Sequence, residues 1–261
     1  MGEALDSMKN TTVIITGASR GIGAATARHF AGLGADLVLL ATSADRLEAL
    51  ADELASEHYE VHVIAGSVAD YAVLEKAADT ALGIRGRIDV LVNNAGVIEP
   101  IARMAESSPE NWSQAIDVNV KGVYYGLRAV LPHMISAGTG TVVNLSSGAA
   151  TGALEGWSSY CASKAAVLSL TRCAHKEAVD SGVRVVGISP GTVETDMQTE
   201  IRESGVNPVS QLPQSAHIPA EWVAKSIAFL CGPGGDDYLG TDFSIKTDEG
   251  RAAVGLPPVG G

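Results

Sequence analysis

The sequence predicts an α/β fold: a single domain built on a doubly wound parallel sheet with helices on both faces. Three observations carry that reading. Short apolar runs such as Thr12-Val-Ile-Ile-Thr16 alternate with longer stretches whose apolar residues recur at helical spacing. Such alternation marks βαβ units, which bury a parallel sheet between helices. A glycine-rich turn, Gly17-Ala-Ser-Arg-Gly-Ile-Gly23, sits between the first strand and the first helix. The length, 261 residues, suits one large domain with a full core.

Composition narrows the function. Apolar residues make up 46% and charged residues 18%, a globular balance rather than a disordered one. The net charge is −12 with no basic block, which argues against nucleic-acid or anionic-membrane partners. No apolar run approaches the roughly 20 residues of a membrane-spanning helix. Residues 1–10 hold no apolar signal core and read as a loose extension, with Met8 as an alternative start. A cytoplasmic location is expected. Cys161, Cys173 and Cys231 are odd in number and lack metal-ligand spacing, so reduced thiols and no metal site are expected.

Taken in order, the first strand is 12–16, and the helix after the glycine turn covers 24–33. Glycines at such a junction let a phosphate approach the backbone and the helix N-terminus. The second strand is 36–41. The helix over 44–57 carries Leu47, Leu50 and Leu54 on one stripe. The third strand is 61–65 and the next helix 71–82. The fourth strand, 88–92, runs into Asn93-Asn94-Ala95-Gly96, small and amide residues suited to backbone contact with a cofactor. Ser108 and Pro109 open a helix as cap and first-turn proline. It leads to Asn119 and a long apolar helix to about 135. An amide at mid-helix reads either as core-bonded or as a kink that holds a water. A strand over 141–146 precedes the helix 160–179, which is followed by a strand over 184–188. Residues 198–218 lack clear periodicity and read as a mobile loop or short helices. A helix over 219–230 and a strand over 240–245 close the domain. The tail, 246–261, is rich in Gly and Pro. The domain therefore spans 11–245, with 192–218 as its mobile substrate loop.

The stretch from Asn144 to Lys164 carries the chemistry. Tyr160 and Lys164 stand four apart on a helix, so phenol and ammonium share a face. Ser147 follows the strand before them. Free tyrosine titrates near pH 10, too high for proton transfer at neutral pH. A Lys cation about 4 Å away contributes up to roughly 4 kcal/mol at an effective dielectric near 20, or about three pKa units. Lys164 is thus expected to lower Tyr160, while Ser147 holds a carbonyl oxygen. Tyr-x-x-x-Lys is common in ordinary helices, and its neighbours decide the matter.

Those neighbours stand in a known order: Thr16-Gly-Ala-Ser-Arg-Gly-Ile-Gly23, Asn93-Asn-Ala-Gly96, Asn119, Ser147, Tyr160-Cys-Ala-Ser-Lys164, and Pro190-Gly191 with Thr195. From Thr12 to Ile245 the chain resembles the short-chain dehydrogenase/reductase family in its compact branch. Two stretches, Gly156–Lys164 and Thr195–Gln198, look like the sepiapterin and benzil reductase subgroup. The resemblance implies a Rossmann-type NAD(P)-binding fold. It makes Tyr160 the proton donor, Ser147 the carbonyl-orienting hydroxyl, Lys164 the ribose ligand, and Asn119 the holder of a relay water. Gly17, Ser19, Arg20, Gly21, Ile22 and Gly23 would meet the cofactor near its phosphates. Asn94, Ala95 and Gly96 would meet its ribose side, and Ser67 and Val68 its adenine. Pro190, Gly191, Val193 and Thr195 would meet the nicotinamide. The substrate pocket is expected from Ser147, Ala149, Leu154, Trp157 and Met197. The family is commonly dimeric or tetrameric through the helices near 120–135 and 160–179. Three features depart from it: Ser67-Val68 stands where Asp-Val commonly holds the adenine, so that contact would be weaker or use the backbone; Ser189 stands where Asn is usual; and Asp248-Glu249-Gly250 replaces a common Asp-Gly-Gly.

The resemblance implies hydride transfer between a nicotinamide cofactor and a small carbonyl compound or secondary alcohol. Alternatives are a cofactor-binding regulatory protein on the same scaffold and a 3-oxoacyl reductase-type activity. NADP(H) is favoured over NAD(H), which stays possible. Ala41 stands where an acid would repel a 2′-phosphate. Thr42 and Ser43 offer hydroxyls, and Arg20 a guanidinium.

Overall fold

Seven short strands, four of them buried along their whole length, form one parallel sheet in the computed structural model, which describes residues 8–259. They are β1 (Thr12–Thr16), β2 (Asp36–Ala41), β3 (Val61–Ala65), β4 (Val90–Asn93), β5 (Gly140–Leu145), β6 (Val183–Ser189) and β7 (Asp242–Ser244). Their order is β3-β2-β1-β4-β5-β6-β7. Every residue of β1, β2, β4 and β5 is buried, which explains why these strands read as continuous apolar runs rather than alternating ones.

Helices cover both faces. α1 (Gly21–Gly32), α2 (Ala44–Leu54) and α8 (Ala220–Cys231) pack one face through Phe30, Leu47, Leu50, Ile227 and Phe229. α3 (Tyr71–Arg85), α5 (Gly122–Ala137) and α6 (Ser158–Ala178) pack the other through Leu74, Leu127, Met134 and Val167. α4 (Pro109–Ile116) starts at Ser108, whose hydroxyl accepts from the Asn111 amide at 3.2 Å. Strand order reverses between β1 and β4, so a crevice opens there beyond the strands' carboxyl ends.

Of the two alternatives for residues 198–218, the structure shows short helical pieces: α7 (Asp196–Ser204) and two single 3₁₀ turns. Two other segments differ from the sequence expectation. The last strand is only Asp242–Ser244, because Gly240 turns at φ +68° before it. The tail carries a helix, α9 (Asp248–Val254), with Thr247 accepting from the Gly250 amide at 3.1 Å. Arg251 stacks its guanidinium over Trp222 of α8 at 5.2 Å, which holds this helix down. The Gly-Pro content had hidden it. Of the expected N-terminal extension, residues 1–7 lie outside the described residues. Met8, the first described residue, is 4% exposed, and its amide donates to the Leu33 carbonyl at 2.8 Å.

A buried polar ladder sets α6 against the sheet. Asn93 Nδ2 at the end of β4 donates to Asn144 Oδ1 on β5 at 2.9 Å. Asn144 Nδ2 donates to Thr171 Oγ1 on α6 at 2.9 Å. Both links are buried, so each rung is worth most as an unmade bond avoided. Thr171→Val keeps shape and strands the Asn144 amide, which should lower stability by about 1–3 kcal/mol. Urea unfolding measures this; a loss below about half a kcal/mol would show that the ladder is dispensable.

Candidate active site

The glycine turn packs against the end of β4 so tightly that side chains have no room. Gly17 takes φ +64°, and a Cβ there would stand 2.8 Å from the Ala95 Cα. A Cβ on Gly23 would stand 2.2 Å from the Gly17 carbonyl oxygen. Asn94 Nδ2 locks the junction, donating to the Thr16 carbonyl at 2.9 Å and the Gly17 carbonyl at 3.1 Å. Thr16 Oγ1 accepts from the Asn94 and Ala95 amides at 3.0 and 3.1 Å. The first turn of α1 then presents Gly21 and Ile22 to an open cavity of about 730 Å³. Bare backbone and a helix N-terminus fit the diphosphate of a dinucleotide. The bare backbone of Gly17 and Gly21, both at positive φ on the cavity wall, is the observation that supports the fit.

Most residues named from sequence line this cavity: Gly17, Ser19, Arg20, Gly21, Ile22, Thr42, Ser67, Val68, Asn94, Ala95 and Gly96 on the cofactor side. Pro190, Gly191, Val193 and Thr195 line its far wall, with Ser147, Ala149, Leu154, Trp157, Tyr160, Lys164 and Met197. Three named residues do not reach the wall. Gly23 acts through packing on the Gly17 turn. Ser43 begins α2, half-buried and off the cavity. Asn119 is 1% exposed, in a π turn (Asp117–Lys121) between α4 and α5. Its Nδ2 donates to the Val97 carbonyl at 2.8 Å and to Ser163 Oγ at 3.1 Å, and its Oδ1 accepts from the Val97 amide at 2.8 Å. The amide is spent on the protein, so a relay water on this side chain is not what the structure provides. Trp157 lines the cavity yet is 5% exposed, packed with Ile98 and Ile201; it is core as much as wall.

Sequence reasoning missed Val97, Gln114, Val118 and Lys246 on the wall, whereas Asp196, Ile201 and Val209 fall within the expected substrate loop, 192–218. Lys246 follows β7, and the rule that ligands lie beyond strand carboxyl ends would have found it. Val97, Gln114 and Val118 are set by how the loop after β4, α4 and the π turn 117–121 fold over the site, for which the sequence holds no local signal.

The Ser147 hydroxyl accepts from the Ala149 amide at 3.1 Å, which fixes it at the end of β5. Tyr160 sits one turn above Lys164, whose Nζ lies 5.6 Å from the phenol ring centre and donates to the Leu145 carbonyl at 2.7 Å. The electrostatics differ from expectation. Burial pushes the Tyr160 phenol above its ordinary value, with Ser147 pulling the other way. Burial also pushes the Lys164 ammonium down to about 8, against the charge of Asp242. Desolvation, which spacing cannot reveal, is the largest cause of both shifts. Asp242 on β7 accepts from Ser189 Oγ at 2.6 Å. Burial raises its carboxyl, against Ser189 and Lys164. Serine at 189, where the family usually has Asn, thus serves as this acid's donor.

Among the described residues no group of three or more His, Cys, Asp or Glu is placed to hold a metal, and no helix is long and apolar enough to cross a membrane.

Comparison places this geometry among known proteins. The sequence profile of short chain dehydrogenases matches residues 11–205. Oxidoreductase UcpA of Salmonella typhimurium is 41% identical over 253 residues, covering 92% of this chain and 95% of that protein. The 2-(R)-hydroxypropyl-CoM dehydrogenase of Xanthobacter autotrophicus is 36% identical over 232 residues, covering 84% and 90%. The crystal structure of levodione reductase superposes with a TM-score of 0.83 at 28% identity, covering 93% of this chain and 97% of that one. With its fold, its glycine cradle and its Ser147, Tyr160 and Lys164 in one cavity, the chain belongs to the short-chain dehydrogenase/reductase family of NAD(P)-dependent oxidoreductases.

Proposed function

We propose that the protein is an NADP(H)-dependent carbonyl reductase, or the matching secondary-alcohol dehydrogenase, acting on ketones or dicarbonyls. The observation that carries this reading is the convergence of Ser147, Tyr160 and Lys164 on one cavity whose other end is the glycine cradle. The cofactor supplies the hydride when bound. Gly17, Ser19, Gly21, Ile22, Asn94, Ala95 and Gly96 hold it by backbone and amide contacts, and Val193 and Thr195 face its nicotinamide. Ser147 holds the carbonyl oxygen and Tyr160 gives it a proton. Lys164 binds the ribose. Asn119 positions rather than reacts: it ties the Val97 loop to α6, and a relay water would rest on a carbonyl freed by the π turn.

Ala149, Leu154, Trp157 and Met197 give the substrate end an apolar lining, which supports aryl ketones and vicinal dicarbonyls over sugars. We place the protein in the cytoplasm as a homodimer or homotetramer. Its dimer face would be on α5 and α6, where Tyr124 and Ile135 are 50% and 40% exposed. A panel of ketones and diketones with NADPH and NADH, followed at the nicotinamide absorbance, tests the activity; no turnover on any member would refute it.

Three variants follow. Tyr160→Phe should reduce kcat by at least about a thousandfold while cofactor affinity, read by calorimetry, changes little. Near-normal turnover would remove Tyr160 from the mechanism.

Lys164→Met should impair both turnover and cofactor affinity, yet stabilise the cofactor-free protein at pH 7. At that pH, below the folded-state value of about 8, the wild-type protein bears the full cost of burying a cation. Replacing it with an apolar chain of similar length should gain about 1–3 kcal/mol. Between pH 8 and 10.5 the unfolded chain binds the proton that the folded one has lost, so wild-type stability rises and the gap closes. Thermal melts across that range decide it; a variant less stable at pH 7 contradicts the account.

For the cofactor, Ala41 ends β2 without a carboxylate, and Arg20 and Arg46 converge nearby on Asp196 at 2.7 and 3.9 Å. Two guanidiniums suit a 2′-phosphate. One charge-assisted contact is worth about 1.5–3 kcal/mol, hence a ten- to hundredfold preference for NADP(H). Ala41→Asp should move the ratio of kcat/KM values toward NAD(H) by a similar factor. A wild-type protein equally efficient with NADH would overturn the preference.

A further inference from the structure

Lys246 is the second residue after β7, and its side chain, though exposed to solvent, lines the active-site cavity. Its stem crosses Gly191, where a Cβ would lie 2.9 Å from Lys246 Cγ. Its Nζ reaches the turn after β5, 3.2 Å from where a Cβ of Gly148 would stand. Gly148 directly follows Ser147. The ammonium therefore stands over the turn that carries Ser147, the residue assigned above to the carbonyl oxygen.

The other charges on the cavity wall have partners. Arg20 pairs with Asp196 at 2.7 Å, and Lys164 donates to the Leu145 carbonyl at 2.7 Å. The Lys246 ammonium makes no hydrogen bond or ion pair among the described residues. The chain holds 30 acidic and 18 basic residues, so carboxylates are not scarce. A cation left without one beside the reacting centre is a group that awaits an anion from outside.

We propose that Lys246 forms an anion subsite for the substrate, and that the preferred substrates are keto acids, or the corresponding hydroxy acids, with a carboxylate close to the reacting carbonyl. The inference rests on the carbonyl reductase reading above. The same ammonium chemistry would accept a cofactor phosphate oxygen. The diphosphate, however, has the α1 N-terminus and Arg20 across the cavity, whereas Gly148 and Ser147 lie on the substrate side.

The test uses matched pairs: benzoylformate with its methyl ester, and acetoacetate with its methyl ester. For each pair, kcat/KM is measured for the wild-type protein and for Lys246→Met, Lys246→Glu and Lys246→Arg. The ratio of acid to ester should fall about tenfold in Lys246→Met, mostly through KM, and further in Lys246→Glu. Lys246→Arg should restore most of it. A ratio constant within twofold across all four proteins overturns the proposal. So does a loss in Lys246→Met that appears in the KM for NADPH and equally in both esters and acids, which would assign the ammonium to the cofactor. Calorimetric binding of benzoylformate to the NADP⁺-loaded protein gives a readout without turnover. If no ketone reacts but Lys246→Met still weakens benzoylformate about tenfold, the reductase reading fails and the subsite stands. If ketones react and benzoylformate binding is unchanged, the subsite fails alone.

Discussion

A parallel sheet has all its carboxyl ends on one edge, and this chain puts its chemistry there. The glycine turn follows β1, Thr42 follows β2, Ser67 follows β3, Asn94 follows β4, Ser147 follows β5, Gly191 follows β6 and Lys246 follows β7. None of these segments is near the others in sequence. They meet because every strand points the same way and each helix returns the chain to the opposite edge. The site is thus a property of strand direction, and the register of β5 on β4 and β6 sets the position of Ser147 against the cofactor end.

Within that frame, closeness is obtained by removing side chains. Gly17 and Gly23 let the first turn lie on Asn94 and Ala95, and Gly126 makes room for Asn93, whose Oδ1 would be 2.4 Å from a Cβ there. Buried amides then bind the pieces together: Asn93 to Asn144, Asn144 to Thr171, and Asn119 to Val97 and Ser163. Such groups cost stability when unpaired, so each fixes one arrangement rather than several. They hold α6, and with it Tyr160 and Lys164, in place over β5.

The sequence exposed much of this because the strands are buried on both faces and so read as plain apolar runs. Leu47, Leu50 and Leu54 declared the inner stripe of α2, and all three are buried. Tyr160, Lys164 and Ser147 could be named from spacing, since i and i+4 on a helix share a face wherever the helix lies. What escaped depended on the surroundings. The pKa direction of Tyr160 was misjudged because charge separation was legible and burial was not. Asn119 was left between a core-bonded amide and a kink that holds a water, because the Val97 loop that takes the amide is 22 residues away in sequence. α9 was invisible because a seven-residue helix owes its existence to Thr247 and to Arg251 on Trp222, not to periodicity.

Charge is distributed against the grain of the molecule. A chain with net charge −12 repels anions as a whole, yet its cavity wall carries Arg20, Lys164 and Lys246 with Asp196 as the one acid among its described residues. Burial keeps Lys164 poorly solvated, so its charge is stabilised by partners rather than by water. A dinucleotide brings such partners in its phosphates and ribose hydroxyls. On the proposed reading a cofactor would then do more than supply hydride: by offering Lys164 polar partners in place of water, it would offset part of the cost of burying that cation.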